Sequence, residues 1–416
     1  MPTHHQVLII GGGTAGIMVA SQLIKQKKRT SVAIIEPADT HYYQAAWTLV
    51  GAGTYDYKDT ARPMASVIPK EATWIKDKAT GFDPENNTVR TASSGDITYD
   101  YLVVAPGLVY DMSLVPGLGE ALDKGVVCSN YTDPDHTWKV IQEFKGGTAL
   151  FTQPTTPIKC GGAPQKIMYL AEDHWAKNKA VRDKTEVVFA TAGTIIFGVP
   201  QIAKTLMEVV DRKDINLRFG YQLKKVDGPN RIAWYAFADH MKEHNHKGVK
   251  TETDGDLTGI HFDMLHTAPP STAPKFIQDS SLVNGTGWLD VDQYTMQHKK
   301  YDNIFGLGDV AGLPTAKTGA AIRKQVPIVV DNIDLLIGSD KMGKMAYNGY
   351  SSCPLVTGYG KMVLAEFDYD NKFTPDPKLK QMLISDSSKE HWRLWMLKKY
   401  ILPYLYWNKM MRGKDV

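Results

Sequence analysis

Near its start the chain reads QVLIIGGGTAGIMVASQLIKQ, an apolar run from Val7 to Ile10 that passes through Gly11-x-Gly13-x-x-Gly16 into a helical pattern. In that order, strand, glycine turn and helix form the opening of a doubly wound α/β unit. Gly11 makes the tight turn, Gly13 lets the backbone approach a pyrophosphate, and Gly16 lets the helix lie on the strand. Thr14 and Ala15 fill the helix N-terminus, where free N–H groups face an anion. Twenty residues after Gly16, Glu36 closes a second apolar strand, SVAIIEP, and offers its carboxylate to ribose hydroxyls. These features together predict a dinucleotide site.

The chain as a whole, 416 residues of which 43% are hydrophobic, is long enough for two or three domains. A net charge of +3, spread along the chain, gives no footing to a nucleic-acid role. The three cysteines, Cys128, Cys160 and Cys353, are too few for a disulfide framework and lack metal-ligand spacing, so chemistry is open to them. The opening MPTHHQVLII carries neither a signal-peptide nor a transit pattern, which predicts a chain that starts in the cytosol. No window reaches the roughly 18–20 apolar residues a spanning helix needs.

Two further segments point to the nucleotide. YDYLVVAPG ends in Gly107, and NIFGLGDVAG carries Gly308 and Asp309 at the end of a strand. Both resemble motifs of the FAD-dependent pyridine nucleotide-disulfide reductase superfamily, in which the second motif sets an Asp on the flavin's ribityl chain. The resemblance implies FAD and an interrupted flavin domain, residues 1–120 and 285–335, with a second Rossmann-like domain, 121–284, inserted. The stretch TEVVFATAGTIIFGVPQIAKTL, where such proteins carry a nicotinamide fingerprint, has Gly193 and Gly198 but no G-x-G-x-x-G. Electrons are therefore expected from a donor other than NAD(P)H.

In IKCGGAPQKI, Cys160 precedes a helix opened by Pro164 and lies near Lys159 and Lys166. Helix N-terminus and ammonium groups both favour thiolate, so Cys160 reads as a nucleophile, with a small buried residue as the alternative. Cys353, before Pro354, reads as part of a loop feeding a strand. The blocks IKCGGAPQKIMYL, SSCPLVTGYGKMVLAEFDY, HYYQAAWTLVGAG and LPYLYWNKMMRG resemble the sulfide:quinone oxidoreductases of type II, almost from end to end. The resemblance implies a redox pair, Cys160 and Cys353, beside the flavin and often bridged by an extra sulfur. Hydrogen sulfide would open the bridge, leave a persulfide on Cys353 and free the Cys160 thiolate to reduce FAD. Cys128 fits either a redox accessory or a structural thiol. Gln44 and Ala79 match positions that touch FAD in relatives. Lys317 and Gly319 open the helix after Asp309, whose N-terminus would face the flavin's pyrimidine edge. His5, His41 and His298 read as surface or packing residues.

The tail HWRLWMLKKYILPYLYWNKMMR holds six Trp or Tyr, five Lys or Arg and no acid, and Pro403 is expected to split it into two short helices. Aromatic side chains among cations suit a lipid interface. Residues 336–416 are thus expected to be an amphipathic membrane-attachment and quinone-binding region, with Lys398 and Tyr400 lining the quinone. The expectation is a monotopic protein, on a bacterial rather than a mitochondrial inner membrane, passing electrons to a quinone and sulfane sulfur to glutathione, sulfite or a similar acceptor. Whether it forms a homo-oligomer is open. Three rival readings are the flavoprotein subunit of a flavocytochrome c sulfide dehydrogenase, a type II NADH:quinone oxidoreductase, and a flavin redox sensor without turnover.

Overall fold

The computed structural model describes residues 3–26, 30–237, 249–339 and 341–415. Strand β1 (Thr3–Ile10) leads through the glycine turn into α1 (Thr14–Gln26), and pairs in parallel with β2 (Val32–Ile35) and β3 (Asp96–Val104). The apolar run needs cover on both faces, as strands inside a parallel sheet do. Val7 and Ile9 pack with Ile17, Val19 and Leu23 of α1, while Leu8 and Ile10 pack with Phe82 and Leu282 on the opposite side. Thr73–Ile75 extends the sheet beyond β2, and Thr88–Thr91 and Ala79–Asp83 extend it antiparallel beyond β3. Some 200 residues later the chain returns with Ile304–Gly306, which joins β3 in parallel.

Between those segments lies a second parallel sheet, in the order Val127–Cys128, Met264–Thr267, β4 (Gly147–Gln153), Thr185–Thr191, Ile215–Phe219. After β4 the chain forms α2 (Ala163–Ala176), with Pro164 in its first turn, where a missing N–H costs nothing. A four-stranded antiparallel sheet, residues 221–261, adjoins it. The architecture is α/β with two parallel sheets.

The helix after Asp309, α3 (Gly319–Ser339), packs on α1. A hairpin of β5 (Ser351–Gly358) and β6 (Lys361–Phe367) follows, so Cys353 sits within a strand rather than in a loop. Pro403 does not split the tail. Helix α4 (Trp392–Met396) runs through a π-helical turn, Leu397–Ile401, into α5 (Leu402–Asn408). The proline falls in the first turn of α5, and the widened turn before it absorbs the donor that proline lacks. Among the described residues no helix is long and apolar enough to cross a membrane.

Candidate active site

A cleft of about 890 Å³ opens where the glycine turn, α2, α3, the hairpin and the tail converge. Its shape depends on glycine. Gly11 has φ +99°, and a Cβ there would lie 2.4 Å from the Ala105 carbonyl oxygen. At Gly16 a Cβ would fall 1.9 Å from the Gly11 oxygen, so only glycine lets α1 start so close to β1. Gly13 instead lines the cleft with open space where its Cβ would be. Glu36 accepts from the Gly12 and Ala38 N–H groups, each at 2.7 Å, which orients the carboxylate while leaving lone pairs for a ligand. Thr14, Ala15, Gln44, Gly107, Gly308, Asp309, Lys317 and Gly319 also line the cleft. An open glycine cradle, an oriented acid and a second helix N-terminus fit the pyrophosphate, ribose and ring of FAD. Ala79 does not line this cleft. It begins the strand Ala79–Asp83, which forms the sheet edge beyond β3 and Thr88–Thr91, on the other side of β1 from β2, and packs with the cluster behind the sheet.

Cys160 lines the cleft and the fold sets Cys353 directly behind it, with 3.3 Å between sulfurs that lie 193 positions apart. Gly162 makes the approach possible, since a Cβ there would meet Leu355 Cδ2 at 2.4 Å and Cys353 Sγ at 2.7 Å. Cys160 itself has φ +51°, a left-handed conformation that is strained for a residue with a side chain. Its N–H donates to the Lys317 carbonyl at 2.9 Å, which ties the cysteine loop to the start of α3.

The electrostatics divide the pair. The thiol of Cys353 donates to Cys160, and this hydrogen bond, with the Lys166 ammonium 3.0 Å away, holds Cys160 well below the ordinary thiol pKa against the pull of burial. The same hydrogen bond, together with burial, pushes Cys353 well above it. Burial opposes the charge of Lys166, yet the two sulfurs keep its pKa above the ordinary lysine value. Lys398 is also buried and donates to the Ala45 carbonyl at 2.7 Å; burial and then repulsion from Lys166 lower its pKa to about 8. Lys317 donates to the carbonyls of Asp309 and Ala311, and burial lowers its pKa to about 8.

Lys398 lines the cleft, but Tyr400 does not. The π-helical turn points Lys398 inward and leaves Tyr400 on the outer surface, 54% exposed, beside Trp392, Met396, Ile401 and Tyr404. Cys128 lies fully buried in its strand, away from the cleft lining, and burial raises its pKa. His5 and His298 are buried packing residues. His41 has a further part that the sequence reading missed. Its Nδ1 donates to the Gly12 carbonyl at 3.1 Å, burial lowers the ring's pKa, and in the neutral ring Nε2 accepts from the Tyr406 hydroxyl at 2.5 Å. A single histidine among tyrosines carries no spacing signal that would have revealed this.

Residues 5–142 match the family "Pyridine nucleotide-disulphide oxidoreductase". The mouse protein named "Sulfide:quinone oxidoreductase, mitochondrial" is 40% identical over 412 residues, covering 99% of this chain and 87% of that protein. The Dictyostelium discoideum protein of the same name is 40% identical over 417 residues, covering 98% and 86%. The solved sulfide:quinone oxidoreductase of Aquifex aeolicus superposes with a TM-score of 0.78 at 20% identity, covering 99% of this chain and 92% of that one, a likeness of fold. The mitochondrial names of the mouse and Dictyostelium relatives leave the expected bacterial membrane without support. Identity at this level along nearly the whole length shows that the chain belongs to the sulfide:quinone oxidoreductase family.

Proposed function

We propose that this flavoprotein oxidises hydrogen sulfide at the Cys160–Cys353 pair and passes the two electrons through FAD to a quinone held beneath the C-terminal helices. The observation that carries the reading is the 3.3 Å contact of two otherwise distant sulfurs at the wall of a dinucleotide-shaped cleft. When bound, FAD supplies a two-electron relay; Gly13, Glu36, Asp309 and the Gly319 end of α3 are the residues that hold it.

The polarity of the pair sets the direction of the chemistry. In the oxidised pair, hydrosulfide attacks Cys353 Sγ, a new S–S bond forms there, the Cys160–Cys353 bond breaks, and its electron pair leaves on Cys160. The lower-pKa thiol is the better leaving group, and Lys166 stabilises it as thiolate. Attack in the opposite sense would expel Cys353, whose ionisation is disfavoured. The outer sulfur of the Cys353 persulfide then passes to a nucleophile such as glutathione or sulfite, which returns Cys353 to the thiol. Reclosing the Cys160–Cys353 bond releases one proton and the two electrons that reach the quinone.

The exposed row on α4 and α5 is the surface by which the protein attaches to a membrane, peripherally. The decisive experiment is anaerobic sulfide titration of the FAD-loaded protein, followed by a short-chain quinone. Sulfide bleaches the visible flavin band, quinone restores it, and Cys160→Ser and Cys353→Ser both stay yellow. An unchanged band in the wild type overturns the reading.

A further inference from the structure

The hairpin that carries Cys353 has a second face. Side chains alternate along a strand, so Cys353, Leu355, Val363 and Ala365 turn into the core while Tyr350, Ser352, Pro354, Leu364 and Glu366 face the cleft. Opposite Ser352 across the hairpin stands Glu366. A carboxylic acid on a wall shared with leucine, proline and the apolar side of the tail is expensive to keep there. Glu366 is nonetheless only 3% exposed.

Its surroundings are specific. The Tyr350 hydroxyl donates to Glu366 Oε1 at 2.5 Å, and the Asp376 N–H donates to Oε2 at 2.9 Å. Arg323 donates to the Tyr350 oxygen at 3.2 Å, and the Lys324 ammonium lies 5.7 Å from the same ring. The Asp376 carboxylate repels charge on Glu366 and Arg323 favours it. Asp376 and Lys378 complete the wall toward solvent. The row therefore runs from a solvent rim at Asp376, through a buried acid, to a hydroxyl at the cleft.

We infer that Glu366 and Tyr350 form the internal proton relay that serves the quinone as it is reduced. This rests on the proposed quinone reaction and deepens it. Converting a quinone to its quinol takes two electrons and two protons. The electrons arrive through the cofactor, but a proton must reach the quinone oxygen inside an apolar chamber. When Glu366 takes up a proton the short hydrogen bond reverses, the carboxyl donating to the Tyr350 oxygen and the Tyr350 O–H turning to the quinone. That O–H bond then breaks as its proton passes to the quinone oxygen, and the carboxyl proton moves to the Tyr350 oxygen. The Glu366 carboxylate left behind takes a new proton from water at the Asp376 rim, and a second passage of the relay delivers the other proton of the quinol. Arg323 stabilises the negative charge while it sits on this pair. Burial raises the pKa of Glu366, which suits a group that must hold a proton at the cleft before giving it up.

The test separates the two half-reactions in FAD-loaded wild type, Glu366→Gln and Tyr350→Phe. Flavin reduced anaerobically, by sulfide or by dithionite, is mixed either with a short-chain quinone or with ferricyanide, which takes electrons without protons. Both variants are expected to reoxidise with quinone on the order of 10²-fold more slowly than wild type, and with ferricyanide at the wild-type rate. The wild-type quinone rate should fall as pH rises through the pKa of Glu366, and the Glu366→Gln rate should be flat. Quinone reoxidation at the wild-type rate in both variants overturns the relay, as does equal slowing with ferricyanide or an unchanged pH profile in Glu366→Gln. Failure of sulfide to reduce the wild-type flavin overturns the sulfide reading alone, because the dithionite arm still tests the relay. Failure of quinone to reoxidise dithionite-reduced wild type overturns both the quinone reading and the relay.

Discussion

The hydroxyls of Thr14 and Tyr406 meet at 2.8 Å, which joins the first turn of α1 to α5 across 392 positions of sequence. Through Tyr406 the contact continues to His41 and on to the Gly12 carbonyl, so the tail is bolted to the glycine loop of the dinucleotide cleft. Tyr406→Phe keeps the ring and deletes both hydrogen bonds, leaving His41 Nε2 buried without a donor. The expected cost is about 1–3 kcal/mol. A thermal ramp that follows flavin fluorescence should show release at a lower temperature than in wild type, and an unchanged midpoint would mean that the tail does not brace the loop.

Lys166 lies 3.0 Å from Cys160 Sγ, where removing its charge should act on ionisation before it acts on packing. An opposite charge at this range lowers a pKa by about 1–3 units. In reduced protein, Lys166→Met should therefore shift the pH profile of Cys160 alkylation upward by that amount. Thiolate is the form present above the pKa, so below it each unit costs about tenfold in alkylation rate. Sulfide-driven flavin reduction should slow in parallel, because the leaving group is poorer. Overlapping alkylation profiles for variant and wild type would show that the hydrogen bond from Cys353 suffices on its own.

What the sequence discloses tracks how local the constraint is. Gly11, Gly13, Gly16 and Glu36 were legible because each meets a mechanical demand within one βαβ unit, and the structure shows the collisions that forbid a Cβ at two of them. The meeting of Cys160 with Cys353 was legible only by resemblance, since no spacing encodes a contact made across two sheets and a hairpin. Of the two residues expected to line the quinone, Lys398 keeps the inward position and Tyr400 does not, because a π-helical turn changes which residues share a face. Glu366 carries no spacing signal: it reaches the face opposite Cys353 through its pairing with Ser352, beyond a register shift that interrupts the period-two alternation before the hairpin turn. Ala79 matches a motif position in the sequence, but the sheet topology that sets its strand at the far edge leaves no local signal.

Lys398 gives a pH dependence whose sign is fixed. Its folded pKa is about 8 against an ordinary value of 10.5, chiefly through burial. Between these values the unfolded chain binds a proton that the folded chain does not, so this group makes stability rise with pH from about 8 upward and contributes least below 8. The slope is at most about 1.4 kcal/mol per pH unit. Urea unfolding at pH 8 and pH 10 should give a smaller stability increase in Lys398→Met than in wild type, and an equal increase in both would show that the ammonium is not desolvated.

Cys128 packs with Val140, Ile141 and Phe151 rather than against the cleft. Its raised pKa keeps it a thiol, and thiols are poor nucleophiles. Cys128→Ala should retain full sulfide oxidation while losing about 1–2 kcal/mol of stability to the small cavity it leaves. A loss of turnover in protein that still binds flavin and melts normally would give Cys128 a redox part after all.

Trp392, Met396, Tyr400 and Tyr404 recur every fourth residue along the tail, exposed by 58%, 41%, 54% and 58%. In an α-helix alone that spacing would drift around the axis. The wider π-helical turn at Leu397–Ile401 brings it back, so one outer face stays apolar and aromatic. Arg393 lies over the Trp392 ring at 4.7 Å and Lys399 over Tyr400 at 5.4 Å, which sets cations beside the aromatic rings where lipid phosphates would meet them. Inserting each aromatic partway into an interface is worth about 1 kcal/mol, so losing three should weaken vesicle binding on the order of 10²-fold. The triple variant Trp392→Ser, Tyr400→Ser, Tyr404→Ser should stay in the supernatant when spun with anionic vesicles that bring down the wild type. Turnover with a short-chain, water-soluble quinone should persist, because Lys398 and the cleft lie on the opposite side of the same turn. Wild type that fails to sediment with such vesicles would detach this face from any membrane role.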